Sequence, residues 1–325
     1  MSTVTRRPVY LDCDTGVDDA VAIAYLLASP EIELVGIGTV SGNTSAAQAA
    51  ENTLRLLALG DRLDVPVAVG AHDHLADPYS GGALHVHGDN GLGNAELPDT
   101  DAQPIAESAP EFILRLSREY AGSLEIVAVG PLTNLALALR LDNDLPGRVK
   151  QVTVMGGAAL VSGNITPVAE ANIFNDAEAA AVIVSAPWPV VLVPLDVTLE
   201  NTLEESHRSA LLASGDPLTR AVGEVLDHYF EFYLPLYGRR SCALHDPLAA
   251  AIAVGTIVAT NAPAVPIVID VTDGPGRGQT ICDLRGQRLG PVDVDGSTVR
   301  VVLGTDRDLA DHLVERLVAP GAYAR

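Results

Sequence analysis

The sequence predicts an α/β fold in which a mostly parallel, Rossmann-like central sheet is flanked by helices, with a β-hairpin near the C-terminal end. Short runs rich in valine, isoleucine and leucine alternate along the chain with longer segments of helical periodicity. This alternation favours right-handed strand–helix–strand units, and therefore parallel strands. No internal repeat or linker interrupts it, so we expect residues 1–325 to form a single domain.

Each predicted strand is a short β-rich run next to turn-forming residues. The runs that we assign to the central sheet are 9–11, 32–40, 65–69, 124–129, 152–155, 189–195 and 299–303. Two further runs, 265–271 and 279–284, flank a glycine-rich turn and predict the C-terminal hairpin.

The predicted helices have apolar residues at helical spacing. They cover residues 20–28, 46–59, 108–121, 132–141, 176–185, 203–213, 217–236, 247–254 and 309–318. Helix 46–59 is expected to stop at Gly60, since glycine commonly follows the last residue of a helix. Residues 71–98 show no helical period, and a loop of this length is usually functional or mobile.

Charge and cysteine content narrow the function classes. The chain has 42 acidic and 20 basic residues, a net charge of −22, which argues against partners such as nucleic acid or anionic membranes. The three cysteines form no CxxC pair, which predicts a reducing compartment and no zinc cluster. Met1 to Pro8 lacks the apolar core of a signal peptide, and no apolar run is long enough to span a bilayer. We therefore expect a cytoplasmic protein.

Four aspartates follow the first predicted strand within eight residues: Asp12, Asp14, Asp18 and Asp19. Like charges at close range repel unless a cation or a proton intervenes. Helix capping explains Asp18 or Asp19 but leaves the pair Asp12 and Asp14 without a role. A hard divalent cation, Ca²⁺ or Mg²⁺, accounts for the whole cluster. Gly16 is expected to permit a tight turn that directs these carboxylates toward one point.

Polar residues follow other predicted strands, where ligands bind in parallel sheets. Asn43 comes after the second strand, and a free carbonyl lies near Val129 after the fourth. Asn164 and Asn172, with Glu170 between them, suit recognition of vicinal hydroxyls, although an asparagine-rich loop explains them equally well.

Histidines and tyrosines add further candidates. His245 and Asp246 precede the most apolar helix and can supply a titratable ring and a carboxylate together, or pack structurally. His85, in the long loop, could close over a ligand or be exposed, and so could His87. Three tyrosines one helical turn apart, of which Tyr233 is the middle one, are more typical of core packing than of a site.

Three motifs in this order resemble those of the inosine–uridine-preferring nucleoside hydrolase family. They are Asp12-Cys13-Asp14-Thr15-Gly16-Val17-Asp18-Asp19, Gly163-Asn164 through Glu170-Ala171-Asn172, and His245-Asp246-Pro247. The resemblance extends from about Pro8 to the last helix. It implies hydrolysis of the N-glycosidic bond of ribonucleosides, with a small-molecule ribonucleoside as partner and a homo-oligomer, either a dimer or a tetramer, as the assembly.

The resemblance also implies a role for each matched residue. Ca²⁺ would be held by Asp14, Asp19, Asp246 and the carbonyl of Val129, and Asp14 would take a proton from a metal-bound water. The remaining matched residues would hold the 2′- and 3′-hydroxyls (Asp18, Asn172, Asp246), line the 5′ side (Asn164, Glu170, Met155), orient the carboxylates (Asn43) or protonate the base (His245). His85 is a further substrate-binding candidate because of its place in the long loop, and the resemblance assigns it no role.

Departures from the family pattern and two rival functions qualify this interpretation. Thr15 stands where the family often has proline, and Ala171 where it often has an aromatic residue. One rival is a non-catalytic ribonucleoside-binding protein. The other is a Mg²⁺-dependent phosphatase of the haloacid dehalogenase type, which needs a lysine, and Lys150 is the only one in the chain.

Overall fold

The computed structural model describes residues 6–324; residues 1–5 and Arg325, and with them most of the segment expected to lack a signal peptide, lie outside the described part. The strands of residues 6–324 are β1 (Arg7–Cys13), β2 (Ile32–Thr39), β3 (Val67–Val69), β4 (Leu124–Ala128), β5 (Val149–Met155), β6 (Val190–Val193), β7 (Thr202–Glu204), β8 (Ser241–Ala243), β9 (Ala259–Asn261), β10 (Ile267–Ile269), β11 (Thr280–Cys282), β12 (Val299–Val301) and β13 (Gly304–Thr305).

The helices in this range lie largely where apolar periodicity predicts them. They are α1 (Val17–Leu27), α2 (Ala46–Leu59), α3 (Leu84–His87), α4 (Ala109–Glu119), α5 (Thr133–Leu141), α6 (Ala171–Asn175), α7 (Ala177–Ser185), α8 (Leu195–Thr198), α9 (Glu205–Leu212), α10 (Pro217–Tyr237), α11 (His245–Val254) and α12 (Ala310–Leu317). Helix α2 has the predicted bounds because the Ser45 side chain caps its first turn and Gly60 ends it.

Seven parallel strands form the central sheet in the order β12-β6-β5-β4-β1-β2-β3. The chain leaves β1 first toward β2 and β3, and then returns to add β4 on the other side of β1. Such a reversal opens a crevice at the C-terminal ends of the two strands, where ligands bind in doubly wound sheets. The α/β prediction is confirmed, and the crevice between β1 and β4 is the expected place for a site.

Two buried apolar layers cover the sheet. Along β1, Val9, Leu11 and Cys13 pack into one layer while Tyr10 points into the other, as side chains alternate along a strand. The first layer includes residues of α1, α10 and α11, and the second includes residues of α4, α5 and α7. Both faces of the sheet are therefore buried, which explains why its strands read as continuous apolar runs.

Residues 6–324 also form three small antiparallel sheets outside the central sheet. The pairing of β10 with β11 confirms the predicted C-terminal hairpin. Sequence analysis missed β7–β8 and β9–β13, because these strands contain no β-rich run of valine, isoleucine or leucine. The predicted helix 203–213 began too early, since residues 203 and 204 belong to β7.

One helix boundary and one short helix near the predicted site also differ from expectation. Helix α1 begins at Val17 rather than at residue 20, since Asp18 and Asp19 occupy its first turn. The loop 71–98 was expected to contain no helix, and this was wrong, because α3 forms one turn within it. A four-residue helix is too short to show a period. Among the described helices, none is both long and apolar enough to cross a membrane.

Candidate active site

Asp14 lies directly beyond the C-terminal end of β1 and is fully buried. Its Oδ2 accepts a hydrogen bond from the backbone N–H of Asn43 at 2.6 Å, and its Oδ1 accepts from Asn43 Nδ2 at 3.2 Å. Asn43 follows β2, so the neighbouring strand end fixes this carboxylate. A Cβ on Gly42 would lie 2.0 Å from Asp14 Oδ2. Glycine is therefore needed at this position because a side chain would collide with Asp14, and not because of an unusual backbone conformation.

Asp19 connects the first turn of α1 back to the strand end. Its Oδ2 accepts from the N–H of Gly16 at 2.7 Å, and its Oδ1 accepts from the N–H of Asp14 at 3.2 Å. The Gly16 backbone has φ −92°, which any residue can adopt. The prediction that Gly16 is needed for a tight backbone turn is therefore wrong. Glycine is required because a Cβ would lie 2.5 Å from His87 Nδ1 and 2.8 Å from Asn43 Nδ2.

Three carboxylates meet at one point of the crevice. Oxygens of Asp18, Asp19 and Asp246 all lie within 4.8 Å of one another, and all three residues are buried. Asp18 Oδ1 and Asp246 Oδ2 are buried without a hydrogen-bond donor among the described residues. Unpaired buried carboxylate oxygens are costly, and an all-oxygen set of this kind matches the preference of a hard divalent cation.

Burial raises the pKa of each carboxyl group in this cluster. The pKa of Asp18 rises to about 7 through burial and then through the charge of Asp19. The pKa values of Asp14 and Asp246 are raised well above their usual range, again by burial first and by neighbouring aspartates second. The largest causes of these shifts include no cationic side chain of the described residues, so protons or a metal ion must balance the charge.

The closest group of oxygens overlaps with the predicted calcium ligands but is not identical to them. Asp19 and Asp246 belong to both sets, whereas the structure places Asp18 in the trio and Asp14 beside it. Both oxygens of Asp14 face Asn43, whose Nδ2 also lies 3.1 Å from Asp19 Oδ2. Asp14 is therefore connected to the trio through one amide group.

Asp12 lies apart from this trio although the motif contains it. Its Oδ1 accepts from Asn134 Nδ2 at 3.0 Å and from the Tyr10 hydroxyl at 3.2 Å. Burial raises the pKa of Asp12 to about 7. Asn134 Nδ2 also donates to the Thr39 carbonyl, so Asp12 helps to join the ends of β1 and β2 to the start of α5.

The amide of Asn172 lies across the crevice, where it reaches the strand end of β4. Its Nδ2 donates to the Val129 carbonyl at 2.7 Å and contacts both the carbonyl and Sδ of Met155 at 3.2 and 3.5 Å. Glu170 caps α6: its carboxylate accepts from the N–H groups of Gly157, Asn172 and Ile173. Three predicted residues, Asn172, Val129 and Met155, are thus in direct contact.

Asn164 is the most exposed of the predicted residues on this side. Its Oδ1 accepts from the N–H of Ala171 at 3.0 Å, which ties its loop to the start of α6. Its Nδ2 has no hydrogen-bond partner within residues 6–324 and remains a donor for a ligand at the rim of the crevice.

His245 lies at the start of α11 with both ring nitrogens bonded to hydroxyl groups. Nδ1 lies 2.7 Å from Thr198 Oγ1, and Nε2 lies 2.7 Å from the Tyr233 hydroxyl. Burial lowers the pKa of His245 to about 4, so the ring is neutral at pH 7. Tyr229 donates to Asp18 Oδ2 at 3.1 Å. The tyrosine stripe expected in the core therefore extends into the site, and its one-turn spacing was the available signal.

His85 and His87 of the long loop both lie on α3, but they differ in exposure. His87 is buried, and its Nδ1 accepts the N–H of Val17 at 3.1 Å. Burial lowers its pKa to about 3, so its 3.9 Å approach to Asp18 is not an ion pair. His85 is exposed, with its ring 5.9 Å from that of Phe232. Of the pair, His87 thus contacts the aspartate motif, although His85 was the predicted substrate residue.

Lys150 contradicts the phosphatase alternative. It bonds to Glu125 at 2.7 Å, near the N-terminal ends of β5 and β4. Strand β5 reaches the crevice only at Met155, about 16 Å away at 3.3 Å per residue. The single lysine of the chain is therefore on the opposite edge of the sheet from the carboxylates.

Known proteins are similar to this chain over most of its length. A family model for inosine-uridine preferring nucleoside hydrolase matches residues 9–311. "Probable uridine nucleosidase 2" from Arabidopsis thaliana is 37% identical over 290 residues, which cover 89% of this chain and 87% of that protein.

Solved structures of nucleoside hydrolases are also similar to this chain over nearly its whole length. A plant nucleoside hydrolase superimposes with a TM-score of 0.89 and 32% identity over 97% of this chain and 99% of its own. A purine-preferring ribonucleoside hydrolase from Gardnerella vaginalis gives a TM-score of 0.86 and 32% identity over 98% of both chains.

Proposed function

The chain belongs to the inosine-uridine preferring nucleoside hydrolase family, and we propose that it hydrolyses the N-glycosidic bond of ribonucleosides to ribose and free base. One observation carries the proposal most directly: Asp18 and Asp246 present unpaired, buried carboxylate oxygens at the switch point of the sheet. Such oxygens can bind a cation and sugar hydroxyls together, and negative charge stabilises the oxocarbenium character that develops on ribose.

Calcium is the cofactor that we propose for this cluster. Asp19 and Asp246 would hold it together with Asp14 and the Val129 carbonyl, and Asp18 is close enough to join them. The donors are all oxygens, which suits Ca²⁺. When bound, the ion supplies positive charge that makes deprotonation of water feasible near neutral pH.

Asp14 is the proposed general base. Its burial and its hydrogen bonds to Asn43 hold the carboxylate in one orientation beside the trio. A carboxylate fixed in this way can accept the proton of the attacking water as the water's oxygen bonds to C1′ of ribose.

Ribose recognition follows from the acceptors and donors around the crevice. We assign the 2′- and 3′-hydroxyls to Asp18, Asp246 and Asn172, since the two carboxylates have unused acceptor oxygens. Glu170 and the free amide of Asn164 would face the 5′ side with Met155. A carboxylate has about four acceptor positions, so the backbone bonds of Glu170 leave room for a hydroxyl.

The base is expected to leave beside His245. Since this ring is neutral at pH 7, we propose that it acts by hydrogen bonding with Tyr233 rather than as a charged acid. His87 lies between the aspartate motif and Tyr229, with the centroids of the His87 and Tyr229 rings 5.5 Å apart. It would line the same side of the crevice as His245. His85 on the exposed face of α3 would contact substrate only from the entrance.

The test is an assay of reducing-sugar release from inosine, uridine, cytidine, adenosine and guanosine, run in parallel with calorimetric binding. Release by the wild-type protein and none by an Asp14→Ala variant supports hydrolysis, and the ranking of bases defines the preference. Binding without release from any nucleoside, in the presence of calcium, would instead support the ribonucleoside-binding alternative.

Assembly and location complete the proposal. We propose a homo-oligomer, a dimer or tetramer, which light scattering after gel filtration would measure. The thiols of Cys13, Cys242 and Cys282 are free, which suits the cytoplasm as a reducing compartment.

A further inference from the structure

The His245 ring is held at both ends by hydroxyl groups in an almost completely closed environment. Thr198 Oγ1 and Tyr233 Oη each lie 2.7 Å from a ring nitrogen, Nδ1 and Nε2 respectively. The exposed fraction is 0% for Thr198, 5% for His245 and 6% for Tyr233. A ring nitrogen that accepts a hydrogen bond carries no proton, so the direction of these two hydrogen bonds identifies the tautomer.

Hydrogen-bond accounting decides which nitrogen carries the proton. Throughout residues 6–324, the only hydrogen-bond partner of Thr198 Oγ1 is His245 Nδ1. Because Thr198 has no contact with solvent, its hydroxyl proton must point to Nδ1 or remain buried without an acceptor, which is unfavourable. Nδ1 is therefore the acceptor, and the ring proton is on Nε2.

This tautomer determines the direction of the Tyr233 hydroxyl. The Nε2–H of His245 donates to Tyr233 Oη, so the phenolic proton is free to point away from the histidine. In the opposite tautomer, Nε2 would accept that proton, and Tyr233 could not donate to a ligand. Tyr233 packs edge-on against Tyr229, ring centroids 5.0 Å apart, and Tyr229 bonds to Asp18 in the cluster.

The backbone holds Thr198 and His245 together independently of this contact. Thr198 is the last residue of α8, and the Asn201 carbonyl, three residues later, accepts the N–H of Leu244 at 2.9 Å. Strands β7 and β8 then pair antiparallel from this point. The approach of the threonine to the histidine is thus built into the connection that precedes α11.

We propose that Thr198 is a positioning residue that fixes His245 as the Nε2–H tautomer, so that Tyr233 donates its hydroxyl proton in a hydrogen bond to the departing base. The proposal rests on the function proposed above. It predicts that Thr198 affects only substrates whose leaving group needs a hydrogen bond.

A leaving-group comparison tests the catalytic part. Thr198→Val removes the hydroxyl at nearly constant shape, whereas Thr198→Ser keeps it. For the best natural nucleoside, kcat of the valine variant should fall by about 10-fold or more, part of the 10²–10⁴-fold that a positioned donor contributes. With p-nitrophenyl β-ribofuranoside, whose nitrophenolate leaves unaided, both variants should match wild type. Equal losses on both substrates, or no loss on either, would overturn the proposal.

A spectroscopic measurement tests the tautomer without any catalysis. In ¹⁵N-histidine-labelled protein, two-bond proton–nitrogen correlations distinguish a protonated from an unprotonated ring nitrogen, and a His245→Gln spectrum assigns the signals. Wild type should show Nε2–H. Finding Nδ1–H in wild type would overturn the proposal even if the valine variant did not fold. An Nε2–H ring in a protein that hydrolyses no nucleoside would contradict the proposed function and leave the role of Thr198 in selecting the tautomer supported.

Discussion

Asn43 donates hydrogen bonds to both carboxylate oxygens of Asp14, one from its backbone N–H at 2.6 Å and one from its side-chain amide at 3.2 Å. The two residues follow neighbouring parallel strands and are 29 positions apart in the chain. The same amide nitrogen reaches Asp19, so one neutral side chain holds two carboxylates of the site in place. Positioning partners of this kind typically change metal affinity by about 10–100-fold when they are removed.

Gly42→Ala should displace Asp14 and reduce activity. The added Cβ would lie 2.0 Å from Asp14 Oδ2 and 2.8 Å from Pro131 Cδ, so the carboxylate must move from Asn43. We expect kcat/KM for nucleosides to fall by about 10²-fold or more, as for misplaced catalytic groups in general. Gly215→Ala is the matched control, because a Cβ there meets nothing within 4 Å. Wild-type kinetics for Gly42→Ala would contradict the account.

His245→Ala should reduce turnover by no more than about 10²–10⁴-fold, the usual contribution of a group that assists a leaving group. The loss should be smaller for bases that leave easily, since the carboxylates and the water-activating machinery remain. Steady-state kinetics on the nucleoside panel measure this, with His312→Ala near the far end of α1 as control. The assignment of His245 to the leaving group would fail if the loss were the same for every base.

Substrates without a 2′-hydroxyl should be hydrolysed poorly. Asp18 Oδ1 and Asp246 Oδ2 are buried acceptors without a donor, and a deoxyribose would leave at least one of them unpaired. Sites built around a hydroxyl can reject analogues that lack it by large factors, so we expect kcat/KM to fall by about 10³-fold or more. Competition between uridine and 2′-deoxyuridine measures the ratio. Equal turnover would show that these oxygens do not bind the sugar.

Calcium should stabilise the protein more at pH 8 than at pH 5. The pKa of Asp18 rises from 3.8 to about 7 on folding, so its contribution to the stability of the metal-free protein is complete below about pH 4 and is lost as the pH rises through 7. Asp14 and Asp246 shift in the same direction. Calcium must displace these protons, so its apparent affinity rises with pH.

Thermal unfolding of chelator-treated protein, with and without calcium, at pH 5 to 8 measures this effect. The increase in Tm on adding calcium should grow with pH in wild type and grow less in Asp18→Asn. An increase that is the same at every pH would mean that the cluster does not exchange protons for the ion.

Local sequence signals predicted the sheet and most helices, because buried parallel strands and apolar helix faces leave clear patterns. Apolar periodicity did not predict the start of α1 at Val17, because polar residues occupy its first turn. It also did not predict α3, which has only a single turn. Within the site, the motif aspartates could be identified from sequence, but which oxygens converge depends on side-chain orientation. Thr198 carried no sequence signal, since its partner His245 is 47 residues away.

The most direct test of the central claim is the release of ribose and free base from uridine and inosine in phosphate-free buffer containing calcium. We predict equal amounts of the two products from wild type. Asp14→Ala, shown by circular dichroism to be folded, should be slower by more than about 10⁴-fold, beyond the typical loss for a single proton-transfer group. No release by wild type, or release by Asp14→Ala at the wild-type rate, would contradict the account.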